Sequence, residues 1–374
     1  TTAEKLNALL NTKMAIKAAL VEKGQEVGDV FSTYPDKIRA IETCPDDALF
    51  MRTSNSTMPM SLRWKHIRYG NGVYVATATD SDVAAYSMDG IKWYAMTMPQ
   101  VADWNSVTYG DGKFVAVSGS SNYAAYSTDG NTWVASTLPS EANWMSVTYA
   151  NNMFVAVAYE SDATAYSTDG ITWTASTLPN MAYWYCVTYG AGKFVAVSNG
   201  TTDAAYSTDG ISWVAATLSG AKNWRSVVYG NDKFVAVGNG DAGVSYSFDG
   251  ITWTASTIPS NKYASIVYDG TKFVALGQSD LAAYSTDGIT WTASTLPYSA
   301  TWYACVYANA KFTAIGNNSN VFLTSADGIT WTNDMNVTSI MDKSDVDVTE
   351  EVIDAVTDIS VSDDGNGNVS IVMT

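Results

Sequence analysis

Ser127-Thr128-Asp129-Gly130-Asn131-Thr132-Trp133 is one copy of a Ser-x-Asp-Gly-x-x-Trp heptapeptide whose other copies end at Trp93, Trp173, Trp213, Trp253, Trp291 and Trp331. Successive tryptophans are separated by 40, 40, 40, 40, 38 and 40 residues, a period of the length that builds solenoids and propellers. A second aromatic keeps the same beat at Trp64, Trp104, Trp144, Trp184, Trp224, Tyr263 and Trp302, and a tyrosine follows each of these by five residues, from Tyr69 to Tyr307. Within residues 104–137, extended runs are expected at 106–109, 114–118, 124–127 and 132–136. Gly110-Asp111-Gly112 and Asp129-Gly130 supply the positive-φ positions and the carboxylate acceptor of tight turns between them. Four strands per 40 residues is a propeller pattern. Phe114-Val115-Ala116-Val117 is apolar at both alternate sets of positions, which fits a sheet covered on both faces. The expected fold is therefore mainly β, a seven-bladed β-propeller over residues 48–335, with a β-helix or two-sheet sandwich as the fallback.

The heptapeptide resembles the Asp-box, the structural turn repeated in sialidase-type propellers. The resemblance implies a structural role for Asp89, Asp129, Asp169, Asp209, Asp249, Asp287 and Asp327, with metal ligation as the alternative. It does not imply sialidase activity. That chemistry needs three arginines converging on a carboxylate, and the repeats hold only Arg63, Arg68 and Arg225, the first two in one copy.

Composition excludes several classes. With 47% hydrophobic and 12% aromatic residues and only 15% charged ones, the chain is globular rather than disordered, and no apolar run reaches the roughly 18 residues that span a membrane. The formal charge of -17 opposes nucleic-acid binding, which requires clustered cations. Residues 62–335 carry 12 basic and 20 acidic side chains, and residues 336–374 carry 1 and 9, so the tail is disproportionately acidic. Residues 1–24 lack the continuous apolar centre of a secretion signal, so export by that route is not expected. Cys44, Cys186 and Cys305 are widely spaced and are expected as free thiols, without zinc or redox pairing.

Strand alternation puts the Gly-rich and Asp-Gly turns on one rim of the expected ring and the variable loops on the other. Those loops are 118–123, 159–163, 199–203 and 239–243 within blades, and 100–103, 140–143, 180–183 and 260–262 between them. They are rich in Ser, Asn, Asp and Tyr, and the position after the repeated aromatic reads Lys65, Asn105, Met145, Tyr185, Arg225, Ala264 and Tyr303. Variable loops on a rigid scaffold are where binding resides. Asn105, Tyr123, Tyr183, Tyr185, Arg225 and Tyr303 are the candidate ligand-binding residues, suited to a sugar or a protein. No catalytic residue, metal or cofactor is expected. His66 is the only histidine and sits beside Lys65 and Arg68, which argues against a Ser-His-Asp triad. Glu141 and Glu160 leave open a carboxylate pair for glycoside cleavage. The glycines form no phosphate-binding motif.

Residues 1–23 read as an amphipathic helix with Leu6, Leu9, Leu10, Ile16 and Leu20 on one side, followed by a short helix over 35–42 and a linker at Cys44-Pro45-Asp46-Asp47. Residues 345–356 are expected to be helical, and 359–362 and 369–373 to pair as a hairpin around Asp363-Asp364-Gly365-Asn366-Gly367-Asn368. The stretch Ala15-Ile16-Lys17-Ala18-Ala19-Leu20 through Val27-Gly28-Asp29, with Phe31-Ser32-Thr33-Tyr34-Pro35-Asp36-Lys37-Ile38, resembles the attachment region of tail or head fibre proteins in phages and prophages of Gram-positive bacteria. That resemblance implies three parts: residues 1–47 docking to virion proteins, the propeller facing the host, and the acidic extension 336–374. It further implies a location on the virion and a non-enzymatic adhesin that binds a host surface glycan or protein. A structural decoration protein and a glycan-cleaving enzyme remain as alternatives. A homo-oligomer is compatible with the family, although no sustained heptad supports one.

Overall fold

The computed structural model describes residues 57–240, 243–259 and 262–333, together with the backbone of the strands Phe50–Asn55, Met335–Met341, Ile359–Asp363 and Val369–Met373. Two compact units emerge. One is Thr57–Thr332, and the other takes in the four outlying strands. In that second unit Phe50–Asn55 pairs antiparallel with Met335–Met341, and Ile359–Asp363 pairs with Val369–Met373 as the expected hairpin. The helices expected at 1–23, 35–42 and 345–356, and Cys44, lie outside the described residues.

Thr57–Thr332 is all β among its described residues, arranged in antiparallel sheets of ten, six and five strands in sequence order. The second strand of each repeat holds the sheets together. In Phe114-Val115-Ala116-Val117 every residue is fully buried. Phe114 and Ala116 join a cluster with Val73, Val75 and Trp104, whereas Val115 and Val117 join the next one with Trp144, Phe154 and Ala156. Side chains of a strand alternate between faces, so one four-residue run fastens its sheet to both neighbours. Phe154-Val155-Ala156-Val157, Phe194-Val195-Ala196-Val197 and Phe234-Val235-Ala236-Val237 divide in the same way. Seven such clusters occur among the described residues. One of them joins Trp64 and Tyr74 of the first repeat to Ala304, Ile315 and Phe322 of the last, where the Trp93 and Phe322 rings meet edge-on at 6.0 Å. Met58 N–H donates to the Asn320 carbonyl at 2.7 Å across the same join.

The heptapeptide turn is a hydrogen-bonded knot. The Asp129 carboxylate accepts the backbone N–H groups of Asn131 and Thr132 at 2.8 and 2.7 Å and the Ser127 hydroxyl at 2.9 Å. Gly130, at φ 79°, closes the turn where a side chain would be strained. Equivalent bonds recur at Asp89, Asp169, Asp209, Asp249, Asp287 and Asp327. Partial burial of Asp129, Asp169 and Asp287 opposes their ionisation, but the donors outweigh it and hold these carboxyls, with Asp209, at about 2.

The sequence misplaces the connections between repeats. The segments 100–103 and 140–143, expected as loops, lie inside the continuous strands Tyr94–Gly110 and Val134–Ala150. Each such strand begins as the outer strand of one repeat and ends as the innermost strand of the next: Val134–Ala150 pairs first with Ser121–Ser127 and then with Met153–Tyr159. The turns within repeats are also tighter than expected. Ser120 alone, at φ 54°, separates Lys113–Gly119 from Ser121–Ser127. Register shifts between Ser121 and Tyr123 absorb the extra residues as bulges, so the backbone stays extended.

Removing the aromatic from one of these doubly fastened runs should be costly. Phe154→Ala is expected to lower stability by about 3–5 kcal/mol, seen as a fall in the urea midpoint. A carboxyl whose pKa is depressed by folding stabilises the folded chain above its unfolded value of about 3.9 and loses that contribution as it becomes protonated. The melting temperature should therefore fall as pH drops from about 4 toward 2, and less so in a chain with Asp129, Asp169 and Asp209 all replaced by Asn.

Candidate functional site

The innermost strands surround a cavity of about 380 Å³, lined by the residues that follow the repeated aromatics: 65–69, 105–108, 145–148, 185–188, 225–228, 264–268 and 303–307. Its wall is tied together between repeats. Val147 N–H donates to the Ser106 hydroxyl at 3.2 Å and Val187 N–H to the Ser146 hydroxyl at 3.1 Å; in the first repeat His66 Nδ1 takes this acceptor role for Val107 N–H at 3.4 Å. Burial, then the Arg68 and Lys65 charges, lower the His66 pKa to about 4, so the ring is neutral near pH 7. His66 therefore serves as a wall acceptor. Cys186 and Cys305 are free thiols whose pKa values burial raises.

A bulge places the candidate residues. In every repeat the register slips between the repeated aromatic and the residue two places on, for example between Trp64 and His66, Trp184 and Cys186, or Trp224 and Ser226. The residue between them has no partner in the ladder, and a bulge of this kind re-aims its side chain. Lys65, Asn105, Met145, Tyr185, Arg225, Ala264 and Tyr303 are those seven residues, and all line the cavity mouth on the loop side.

Three of the sequence candidates meet there. Arg225 Nη1 donates to the Tyr185 hydroxyl at 2.7 Å, with the guanidinium 4.6 Å from that ring's centre. Lys65, contributed by a strand 120 residues away, donates to the same hydroxyl at 3.1 Å and lies 4.6 Å from the centre of the Tyr303 ring. Burial disfavours the Tyr185 phenolate, but the Lys65 and Arg225 charges outweigh that effect and leave its pKa below the ordinary value. Tyr159 carries the aromatic surface outward, edge-on to Tyr185 at 6.4 Å and tilted against exposed Tyr183 at 4.9 Å. Beside the mouth, a shallow groove shares Lys65, Asn105, Met145 and Tyr303 and adds Asp80, Asp103 and Asn143.

The other candidates sit differently. Asn105 is buried, and its amide donates to the Trp144 carbonyl at 3.0 Å, a bond between repeats. Tyr123 is exposed and lines neither the cavity nor the groove. Sequence reasoning left out Lys65 and Tyr159. Lys65 stands at the same repeat position as Tyr185 and Arg225, which could have found it; Tyr159 opens the variable loop 159–163, which could have found it too. Arg63 pairs with Asp80 and Arg68 lies further along the cavity, so the three arginines do not converge. Among the described residues no group of three or more His, Cys, Asp or Glu could hold a metal ion.

One tyrosine should ionise at lower pH than the others in an ultraviolet phenolate titration. Tyr185→Phe is expected to abolish that early phase, and Lys65→Gln to move it upward.

No family model matches the chain, and no curated protein does. Among solved structures, virginiamycin B lyase from Staphylococcus aureus superposes with a TM-score of 0.65 at 13% identity, covering 73% of this chain and 98% of that one. YCF48 bound to D1 peptide gives 0.60 at 15%, covering 80% and 100%. The WD40 domain of Neurospora crassa Pan2 gives 0.59 at 7%, covering 76% and 97%. These likenesses make the fold a β-propeller. They also correct the expectation that the chain is not an enzyme: a lyase is built on a similar propeller, so neither the architecture nor the missing sialidase and triad residues excludes catalysis.

Proposed function

We propose that this chain is the host-binding propeller of a phage or prophage fibre, taking a cell-surface glycan or protein across its loop rim and cavity mouth. Seven blades are part of the proposal, supported by the seven heptapeptides, clusters and bulged inner strands. Residues 1–47 would dock to virion proteins, and the particle surface would be its location. The observation that carries the reading is the aromatic and cationic surface running from Tyr183 through Tyr159 and Tyr185 to Tyr303. Such faces stack on the apolar side of a sugar or on a peptide side chain while neighbouring amides and hydroxyls supply polar contacts.

A second reading has its own observation behind it. The Tyr185 hydroxyl, held by Lys65 and Arg225 with its pKa below the ordinary value, gives up its proton more readily than a free phenol, so the same mouth could supply acid–base chemistry to the glycan it binds.

The test is binding of the full chain to Gram-positive gut-type cells and to an array of their wall polysaccharides, with oligosaccharide release assayed in the same wells. Binding is expected to fall at least about tenfold when Tyr183 and Tyr303 are both replaced by Ala. Undiminished attachment in that variant would reject the rim as the binding surface. Release that disappears in Tyr185→Phe would establish the second reading.

A further inference from the structure

The cavity has a charge imbalance. Residues 62–335 contain 12 basic and 20 acidic side chains, yet three of the basic ones, Lys65, Arg68 and Arg225, line this cavity and none of the acidic ones does. Among the described residues no carboxylate pairs with any of the three; the ion pairs formed elsewhere include Arg63 with Asp80, Lys113 with Asp111, and Lys272 with Asp269. Lys65 and Arg225 both spend a donor on one neutral acceptor, the Tyr185 hydroxyl. The Arg225 Nε–H is buried with no acceptor. A half-buried guanidinium with one N–H left unpaired and no counterion is poorly satisfied by the protein alone. Its planar fork matches a carboxylate or phosphate group.

We infer that the cavity mouth is an oxyanion site, in which Lys65 and Arg225 grip a carboxylate or phosphate carried by an acidic saccharide while Tyr185 donates its O–H to the same group. Arg68, solvent-exposed and further along the lining strand, adds attraction without contact. The inference rests on the binding reading above and names the chemical group recognised. It explains why three cations line this cavity without a carboxylate in a chain of charge -17: acidic loops repel indiscriminate polyanions, and only a group small enough to enter the mouth reaches them. The site also couples to one proton. The charged and titratable neighbours of Tyr185 are Lys65, Arg225 and, on its outer side, Tyr159. An arriving oxyanion supplies their missing counterion, so Tyr185 keeps its proton more firmly when the site is filled.

The experiment is calorimetric titration of the full chain with D-glucuronate, inorganic phosphate and, as a neutral control, D-glucose. Glucuronate or phosphate should bind and glucose should not; glucuronate alone would identify a carboxylate site, phosphate alone a phosphate site. Lys65→Gln/Arg225→Gln should weaken binding about ten- to a hundredfold, while Arg225→Lys keeps part of it. In the wild-type chain the bound oxyanion should move the early tyrosine titration to higher pH, a readout independent of whether the double variant folds. Absence of binding by both oxyanions, equal binding of glucose, or full affinity in the folded double variant would overturn the site. Oxyanion binding without cell attachment would leave the site standing and reject the adhesin. Cell attachment without oxyanion binding would do the reverse.

Discussion

The alternation of Phe-Val-Ala-Val along the second strand of a repeat sets the terms for the rest of the molecule. Each run commits two residues to the sheet before it and two to the sheet after it, and all four are inaccessible to water. A strand that is apolar on one face only could end a stack, whereas this one requires a neighbour on both sides. The requirement is met at every repeat only if the first also finds the last, which is what Trp93, Tyr74 and Phe322 accomplish in the shared cluster. Closure follows from the side-chain period of two together with the absence of a polar face. The Asp-Gly turns secure this arrangement from outside: the Ser136 hydroxyl donates to the Ile171 carbonyl at 2.6 Å, and Thr137 bridges to Thr172, linking one repeat to the turn of the next.

Because the zipper lies in the second strand and the knot in the turn, the first residue after the repeated aromatic carries little structural duty, Asn105 with its bond to the Trp144 carbonyl excepted. The bulge removes it from the ladder, and the indole before it is already held, as where Trp144 donates to the Ser140 carbonyl at 3.2 Å. That is why lysine, asparagine, methionine, tyrosine, arginine and alanine all occupy one position directly after an aromatic that is Trp in six of the seven repeats. The scaffold accommodates all of them, which leaves this position available for binding or chemistry.

How much of this was legible follows from where each signal resides. The heptapeptide turn declares itself locally, since its serine, aspartate and glycine all act within four residues of one another. The two-sided strand is likewise written in four consecutive letters. The strand that runs from one repeat into the next was not legible, because Pro99 and Pro139 with their polar neighbours look like loop when only composition is read, and it takes the register shift at the bulge to show that the backbone continues. At the site, the repeat position singled out Tyr185, Arg225 and Tyr303. Their meeting with Lys65 depends on a reach across the cavity that no local pattern encodes. Asn105 misled for the opposite reason: it stands in the variable column, yet its amide is used up on the Trp144 carbonyl.

The electrostatics of the mouth depend on this geometry more than on net charge. A lysine on an open surface would be hydrated and mobile, and its attraction to a nearby ring would be worth little. Lys65 is instead drawn over Tyr303 and toward Tyr185, opposite Arg225, so two cations converge on one phenol in a half-buried site. Mutual repulsion of the two is offset only in part by ring quadrupoles and by a neutral hydroxyl oxygen, and the two charges together pull the Tyr185 pKa below its ordinary value. An arrangement that stability alone would have replaced with a carboxylate or an apolar side chain has been kept at a position where the fold permits almost any residue. That combination, a costly charge pair at a structurally free position, is the strongest physical argument that the mouth of this propeller is a functional site.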